Sequence, residues 1–143
     1  MRVDELMTKN PACVTPAETV EEAARLMKEH DAGAIPVVES QGERRLVGMI
    51  TDRDIAIRVV GEGKTSSTLV RDVMTDGPDA ARVGDDVDEI ERIMTRRQVR
   101  RVPVVDENQR LVGIIAQADL ARNDRAASDK KVGKVVEEIS EKR

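Results

Sequence analysis

The chain repeats itself, and this internal repeat is the feature that most restricts the folds open to it. The segment "AIPVVE" at 34–39 returns as "RVPVVD" at 101–106, and "RLVGMITDRDIA" at 45–56 returns as "RLVGIIAQADLA" at 110–121. The short segment "MTKNP" near the N-terminus returns in the same way as "MTDGP". Self-similarity at a nearly constant spacing indicates one supersecondary unit that is built twice, with a core that the two copies share.

Each copy predicts the order helix, strand, strand, helix. Thr19 precedes apolar residues at helical spacing, and Glu22 follows three residues later in a capping-box arrangement. Asp86 and Glu89 repeat this arrangement in the second copy. The runs "AIPVV" and "RVPVV" are typical of strands, and "SQGE" and "ENQ" predict hairpin turns into the next strands. We therefore predict an α/β fold of two small β-sheets, each with two helices.

Changes in composition divide the chain into four segments. The first repeat covers 1–61 and the second covers 71–127, and a Gly/Ser/Thr-rich linker at 62–70 separates them. The segment 128–143 predicts an amphipathic helix. This helix packs on its own pair of repeats, forms a dimer contact or docks on an effector protein, and the sequence leaves these three alternatives open. Its apolar stripe consists of Val132, Val135, Val136 and Ile139.

Composition argues against several functional classes. Hydrophobic residues make up 39% of the chain, which is enough for a packed core and argues against general disorder. The formal net charge is −4 and the chain has no Phe, Tyr or Trp, so we expect neither membrane binding nor an aromatic platform for nucleic acid. The N-terminus shows no apolar run that predicts a signal peptide or a membrane span.

Cysteine and histidine usage narrows the chemistry further. Cys13 and His30 are the only residues of their types, so they cannot form a structural zinc site or an internal disulfide, and for nucleophilic catalysis they offer no more than a single unoriented pair. We predict no metal site and no catalytic residues. A single cysteine fits a reducing cytoplasm, and we predict Cys13 to be half-buried and His30 to lie at a helix end.

On these motifs the chain resembles a tandem pair of cystathionine-β-synthase (CBS) domains, a Bateman module. The matching segments are "AIPVV" with "LVGMITDRD" and "RVPVV" with "LVGIIAQAD", and the chain is similar to stand-alone two-CBS proteins of bacteria, including the hypoxic-response type. The resemblance implies a pseudo-twofold pair of domains, a flat homodimer and a non-catalytic regulatory role. It also implies that AMP, ADP, ATP or S-adenosylmethionine binds in clefts between the copies, as a regulatory ligand and not as a required cofactor.

The family's ligand motif is Gly, two apolar residues, Thr or Ser, two variable residues and Asp. The first repeat carries it complete, with Thr51 and Asp54, whereas the second keeps Asp119 but has Ala116 in place of the hydroxyl. In the family, this ending faces the residues before the Pro-containing strand of the other copy. The resemblance therefore implies one cleft for an anionic ligand and one weaker cleft. The first consists of Thr51, Asp54, Arg100, Arg101, Ile50, Val83 and Val99, and the second of Asp119, Thr15, Ala34 and Ile35.

The residues of the first ending have two interpretations. A Thr hydroxyl donates to phosphate oxygens, a carboxylate accepts from ribose hydroxyls, and Arg binds phosphate through two parallel hydrogen bonds. Thr51 and Asp54 also form a helix cap, which is worth about 1 kcal/mol without any ligand. Both roles are compatible, and the resemblance favours the ligand.

Two functions remain open at this point. A sensor would bind an adenosyl ligand and transmit the bound state to an effector protein by changing the geometry of its dimer. The alternative is a structural or interaction protein whose clefts are vestigial, which the weakened second ending and the absence of aromatic residues favour. We expect neither an enzyme nor a nucleic-acid-binding protein, because the Arg cluster at 95–101 is local in an acidic chain.

Overall fold

The computed structural model of the protein describes residues 1–124, so the predicted C-terminal helix lies outside the described residues. Within this range no helix is long and apolar enough to cross a membrane. The helices are α1 (Val3–Leu6), α2 (Val20–His30), α3 (Asp52–Ile55) with its continuation as a π-helix (Ala56–Val60), a 3-10 turn (Val70–Asp72), α4 (Val87–Arg97) and α5, helical from 117 to 124. The strands are β1 (Thr8–Lys9), β2 (Ala34–Val38), β3 (Leu46–Thr51), β4 (Thr75–Asp76), β5 (Ala81–Arg82), β6 (Arg101–Val105) and β7 (Leu111–Ala116).

The equivalent helices α2 and α4 each start at a side-chain cap, but the two caps differ. The Thr19 hydroxyl accepts from the Glu22 N–H (3.3 Å) and the Glu22 carboxylate accepts from the Thr19 N–H (3.4 Å), which confirms the predicted capping box. Asp86 caps α4 through the N–H of Asp88 at 3.0 Å. The predicted box in the second repeat is therefore wrong in one respect, since the Glu89 carboxylate instead accepts from an arginine one turn later.

Each repeat contributes an antiparallel hairpin, and the two hairpins have the same register. β2 pairs with β3 so that Ala34 lies opposite Thr51, and β6 pairs with β7 so that Arg101 lies opposite Ala116. The end of each motif strand therefore lies beside the start of the Pro-containing strand of its own repeat. These matched pairings relate the two repeats by the pseudo-twofold axis that the family resemblance implied, in an α/β fold.

Two short strands are exchanged between the repeats. β1 adds to the edge of β7, and β4 adds to the edge of β3. The Met7 side chain then lies against Gly113, and Met74 lies against Gly48. A Cβ atom at Gly48 would come within 2.8 Å of the Thr75 carbonyl oxygen, so a glycine is needed for the exchanged strand to approach.

A hydrophobic core lies under each sheet, and each core contains residues from a distant part of the chain. Val70 packs in the core of the first repeat, whereas Val3 packs in the core of the second. The hairpins also meet at their tips, where the Leu46 N–H donates to the Gln109 carbonyl at 3.0 Å. The exchange and this contact join the two repeats into one unit and leave the opposite ends of the hairpins facing each other.

Candidate functional site

A groove of about 750 Å³ lies at the ends of the hairpins away from their tips. The ends of β3 and β7, the start of β2 and the loop between α4 and β6 line it. Thr51 and Ala34 of the first repeat share this groove with Val99, Arg100 and Arg101 of the second. The fold thus brings the hydroxyl of one motif close to guanidinium groups that are about fifty positions away in the sequence.

Two backbone hydrogen bonds hold the helix starts at the groove. The Asp52 N–H donates to the Gly33 carbonyl at 2.9 Å, and the Gln117 N–H donates to the Arg100 carbonyl at 2.8 Å. Each bond ties the first residue of a helix to the loop that precedes the Pro-containing strand. α3 and α5 therefore both begin at the edge of the groove, and the side chains at their first turns decide what the groove can hold.

The first motif ending forms a reciprocal cap. The Thr51 hydroxyl accepts from the Asp54 N–H at 3.0 Å, and the Asp54 Oδ2 accepts from the Thr51 N–H at 2.9 Å. The structure therefore confirms the capping interpretation. The Asp54 Oδ1 makes no hydrogen bond within residues 1–124, and the side chain is half-buried, so this oxygen remains an available acceptor. A ligand role for the two residues stays a prediction.

The arginines of the α4–β6 region differ in whether they are paired. Asp79 lies 3.1 Å from the Arg96 guanidinium and 3.7 Å from that of Arg97. Arg100 and Arg101, in contrast, make no ion pair with any residue between 1 and 124, although both line the groove. Two unneutralised guanidinium groups at a concave surface attract an anion, because each offers a fork of N–H donors that matches a phosphate or carboxylate.

The second motif ending is held by its own repeat. The Asp119 carboxylate accepts from the Ala116 N–H at 2.7 Å and also bonds the Arg122 guanidinium. Its exposed fraction is only 7%, which leaves little of it for a ligand. Ala116 itself lines the groove and supplies no hydroxyl. The second motif ending therefore offers a ligand fewer free oxygen atoms than the first ending does.

The residues predicted for the weaker cleft have different surroundings. Ala34 lines the same groove as Thr51, whereas Ile35 is buried in the first core at 2% exposure. Thr15 is half-buried, and its N–H donates to the Glu18 carboxylate at 2.9 Å. One groove thus contains both Ala34 and Thr51, which the sequence analysis had assigned to different clefts.

Three residues predicted for the first cleft do not line this groove. Ile50 is fully buried in the core of the first repeat, Val83 packs against the core of the second, and the Asp54 carboxylate turns back to its own backbone. Strand geometry explains Ile50, because successive side chains point to opposite faces. Met49 and Thr51 face the groove instead. The alternation of side chains along a strand would have indicated that Met49, two residues before Thr51, lies on the same face and forms an apolar wall of the groove.

Other groove residues were also missed. Arg53 occupies a variable position of the motif and lines the groove, as do Arg97 and Asp79. Arg97 is the exposed last residue of α4, and its position at the groove was not anticipated. The packing of α4 brings it there, so no local sequence pattern indicated it.

Cys13 and His30 lie outside the groove. Cys13 is 7% exposed, so it is more deeply buried than predicted, and it packs with Val38 and Leu111 near the hairpin tips. Burial raises the pKa of the Cys13 thiol, and the nearby positive charge of Arg44 only partly opposes this effect. His30 is the exposed last residue of α2, as predicted.

Comparisons with known proteins agree with this architecture. The family model for the CBS domain matches residues 3–61 and again 70–125. The CBS domain-containing protein YhcV of Bacillus subtilis is 43% identical over 96% of this chain and 94% of its own length. Hypoxic response protein 1 of Mycobacterium tuberculosis is 38% identical over 83% of this chain and 82% of its own.

A solved structure supports the same conclusion. The crystal structure of CBSX2 from Arabidopsis thaliana in complex with AMP superposes with a TM-score of 0.77 at 28% identity, and covers 89% of this chain and 98% of that one. The repeat, the matched hairpins and the family matches have one explanation. The chain belongs to the CBS domain family and carries two such domains in tandem.

Proposed function

We propose that this protein is a non-catalytic regulatory module that binds an adenine nucleotide in the groove between its two CBS domains. The observation that carries the proposal is the pair Arg100 and Arg101, which line the same groove as Thr51 and have no ion-pair partner among residues 1–124. The complex of CBSX2 with AMP supports the ligand class, since that protein is built in the same way. In this chain the guanidinium groups hold the phosphate.

The remaining parts of a nucleotide have chemically suitable partners at the same groove. We assign the ribose hydroxyls to the free Oδ1 of Asp54, in the first turn of the helix that begins at the groove. Met49 and Val99 provide apolar surface for the base, and Val99 is 38% exposed although it is a large hydrophobic residue. Aliphatic side chains take the place of aromatic rings, of which the chain has none.

The charge of the groove selects among the candidate ligands. Four guanidinium groups line it, from Arg53, Arg97, Arg100 and Arg101, against two carboxylates, from Asp52 and Asp79. This net positive charge favours AMP, ADP or ATP, whose phosphates are anionic. S-adenosylmethionine carries a sulfonium cation and no phosphate, so we place it behind the nucleotides.

Regulation requires that the ligand bind two states of the protein with different affinity. α3 begins at Asp52, directly after its cap Thr51, and continues as the π-helix, so one continuous helix leads from the groove to the outer surface. Through this helix, a nucleotide at the groove shifts the geometry of a homodimer and the surface offered to an effector protein. Such signalling is the role we assign to the module, in a reducing cytoplasm.

Isothermal titration of the full chain with AMP, ADP, ATP and S-adenosylmethionine tests the proposal. We expect the nucleotides to bind and the combined change Arg100→Ala and Arg101→Ala to weaken them roughly 100-fold, because charge-assisted hydrogen bonds are lost. The matched control is Arg45→Ala with Arg82→Ala, which removes two exposed arginines away from the groove and changes the net charge equally.

Equal weakening in both double variants would show a diffuse charge effect and contradict a built site. No binding of any nucleotide to the wild-type chain at millimolar concentration would favour the alternative function, a structural or interaction protein with vestigial clefts. Two observations favour this alternative: the Asp119 carboxylate is bonded within its own repeat, and Ala116 stands where the motif has a hydroxyl residue.

A further inference from the structure

A carboxylate of the chain itself lies in the groove and pairs with two arginines. The Asp79 Oδ2 lies 3.1 Å from the Arg96 Nη2 and 3.7 Å from the Arg97 Nε. Asp79 and Arg97 line the groove, whereas Arg96 is outside its lining. A carboxylate offers a guanidinium the same kind of acceptor oxygens as a phosphate does. Asp79 therefore takes the place at Arg97 that a further ligand phosphate would take.

The segment 77–80, which carries Asp79, is held at both ends. β4 before it adds to β3 of the first repeat, and β5 after it pairs with β6 of the second. The Gly77 N–H also donates to the Val47 carbonyl at 3.2 Å. The segment thus crosses from one repeat to the other, and these backbone hydrogen bonds hold Asp79 beside the end of α4.

The ion pair is not part of the frame that the two repeats share. In the repeat alignment "MTDGPD" matches "MTKNPA", so Ala12 stands where the second repeat has Asp79. His30 stands at the position of Arg97. The first repeat forms the equivalent helix and hairpin without such a pair. Asp79 and Arg97 are therefore an addition at the groove, and ligand selection explains them better than folding does.

Charge, and not space, distinguishes one nucleotide from another in this groove. Its volume of about 750 Å³ lies within the range of about 300–1,000 Å³ that is typical of small-molecule sites, so a monophosphate and a triphosphate both have room. Arg100 and Arg101 have no ion pair within the described part of the chain, and together they match one phosphate group. The other charges of the groove then decide whether more phosphates are accepted.

Arg97 is the arginine best placed for a second phosphate. It ends α4 three positions before Arg100, in the same region of the second repeat, whereas Arg53 belongs to the first repeat and follows a second groove carboxylate, that of Asp52. A phosphate chain that starts at Arg100 therefore meets Arg97 with Asp79 already bound to it.

We infer that Asp79 selects the number of phosphates that the groove accepts, in favour of a nucleoside monophosphate. A single phosphate binds Arg100 and Arg101 and leaves the pair of Asp79 and Arg97 intact. A diphosphate or triphosphate has to displace Asp79 from Arg97 or lie beside it, and both cost affinity because like charges repel at short range. The inference rests on the proposed function and names AMP as the preferred ligand within it.

Isothermal titration of the full chain with AMP and ATP, in buffer without Mg²⁺, tests the selection. We expect the wild type to bind AMP roughly 10-fold more tightly than ATP, and Asp79→Asn to remove this preference by binding ATP more tightly. The ion pair is partly exposed and adds little to stability, so the variant should remain folded. The matched control is Asp72→Asn, which changes the net charge equally at an exposed position outside the groove and should keep the preference.

Two double variants distinguish the arginines that share Asp79. Asp79→Asn with Arg97→Ala removes the groove guanidinium that the first change has freed, so the gain in ATP affinity should be lost. Asp79→Asn with Arg96→Ala removes an equal charge outside the groove lining, so the gain should remain. Because Arg96 and Arg97 are neighbours and pair with the same oxygen, a general charge effect would act on both alike.

Failure of the inference and failure of the proposed function give different results. If AMP binds but the wild type binds ATP equally well, if Asp79→Asn keeps the preference, or if both double variants lose the gain, the inference is overturned and the proposed function stands. If the wild-type chain binds neither AMP nor ATP, both are overturned.

Discussion

The two motif endings have the same backbone arrangement and different chemistry. Both close an antiparallel hairpin with matched register, and both start a helix whose first N–H donates to the loop before the Pro-containing strand. In the first repeat Thr51 and Asp54 form a reciprocal cap that leaves one carboxylate oxygen free. In the second, Asp119 is buried and bonded to Arg122, and the position of the hydroxyl is Ala116.

This difference shows how two copies of one fold diverge in their side chains. The frame is preserved because the hairpins, the exchanged strands and the two cores depend on it, whereas the side chains at the groove are free to diverge. At the groove, the first repeat offers the Thr51 hydroxyl, and the second offers Arg100 and Arg101. The two repeats therefore contribute complementary parts to one groove instead of each building a full site.

The glycines under the exchanged strands should show the largest effect. Gly48→Ala places a Cβ 2.8 Å from the Thr75 backbone oxygen, and we expect it to lower the free energy of unfolding by about 3 kcal/mol through overpacking. Gly113→Ala meets the Met7 side chain from Sδ to Cβ, which shifts more easily than a backbone oxygen, so a smaller loss of about 1 kcal/mol is expected. Urea denaturation measures the free energy of unfolding of both variants. Equal losses would contradict the expectation that the contact at Gly48 is more rigid than the contact at Gly113.

The next largest effect is expected from removal of the motif carboxylates, to which the two endings should respond differently in stability and in nucleotide affinity. Asp119→Ala leaves a part-buried N–H and the Arg122 guanidinium without their acceptor, so we expect a loss of about 2 kcal/mol. Asp54→Ala removes a half-exposed cap and should cost about 1 kcal/mol. Nucleotide titration should show the reverse order, with the larger loss of affinity in Asp54→Ala. A larger affinity loss in Asp119→Ala would assign the ribose contact to the second repeat.

Removing the hydroxyl from the first ending and adding one to the second should change the stability by nearly equal and opposite amounts. Thr51→Ala removes the acceptor for the Asp54 N–H and should destabilise the chain by about 1 kcal/mol. Ala116→Thr adds the equivalent cap to α5 and should stabilise it by a similar amount. Thermal unfolding of the two single variants and of the double variant checks this, and an unchanged melting temperature in Ala116→Thr would show that the second ending cannot adopt the first one's cap.

The smallest effect concerns the thiol of the first repeat, whose counterpart in the second is Ala80. Burial raises the pKa of Cys13 in the folded chain, so the unfolded chain loses the thiol proton first as pH rises. The stabilisation is complete below the ordinary pKa of a thiol and is lost as pH rises through the folded value. Cys13→Ala should abolish this alkaline decrease in the free energy of unfolding, measured by denaturant titration from neutral to alkaline pH.

Much of the fold was predictable because its signals are local. The capping box at Thr19 and Glu22 and the order helix, strand, strand, helix each depend on residues a few positions apart. The strand exchange was not predictable, because the contact of Met7 with Gly113 joins residues more than a hundred positions apart. The repeated "MT" and "LVG" segments were visible in the sequence, but nothing local showed that each pairs with the other copy.

By itself, the sequence determined the duplicated architecture, the family and the inequality of the two motif endings, because these follow from residue type and spacing. Only the tertiary structure decided that Ile50 faces a core while Met49 faces the groove, and that Asp79 pairs with Arg97 but not with Arg100. It also decided that Ile57 and Val60 face outward on a π-helix. The physical reason is that residue type decides what a side chain can bind, whereas strand register, helix pitch and long-range pairing decide which groups it can reach.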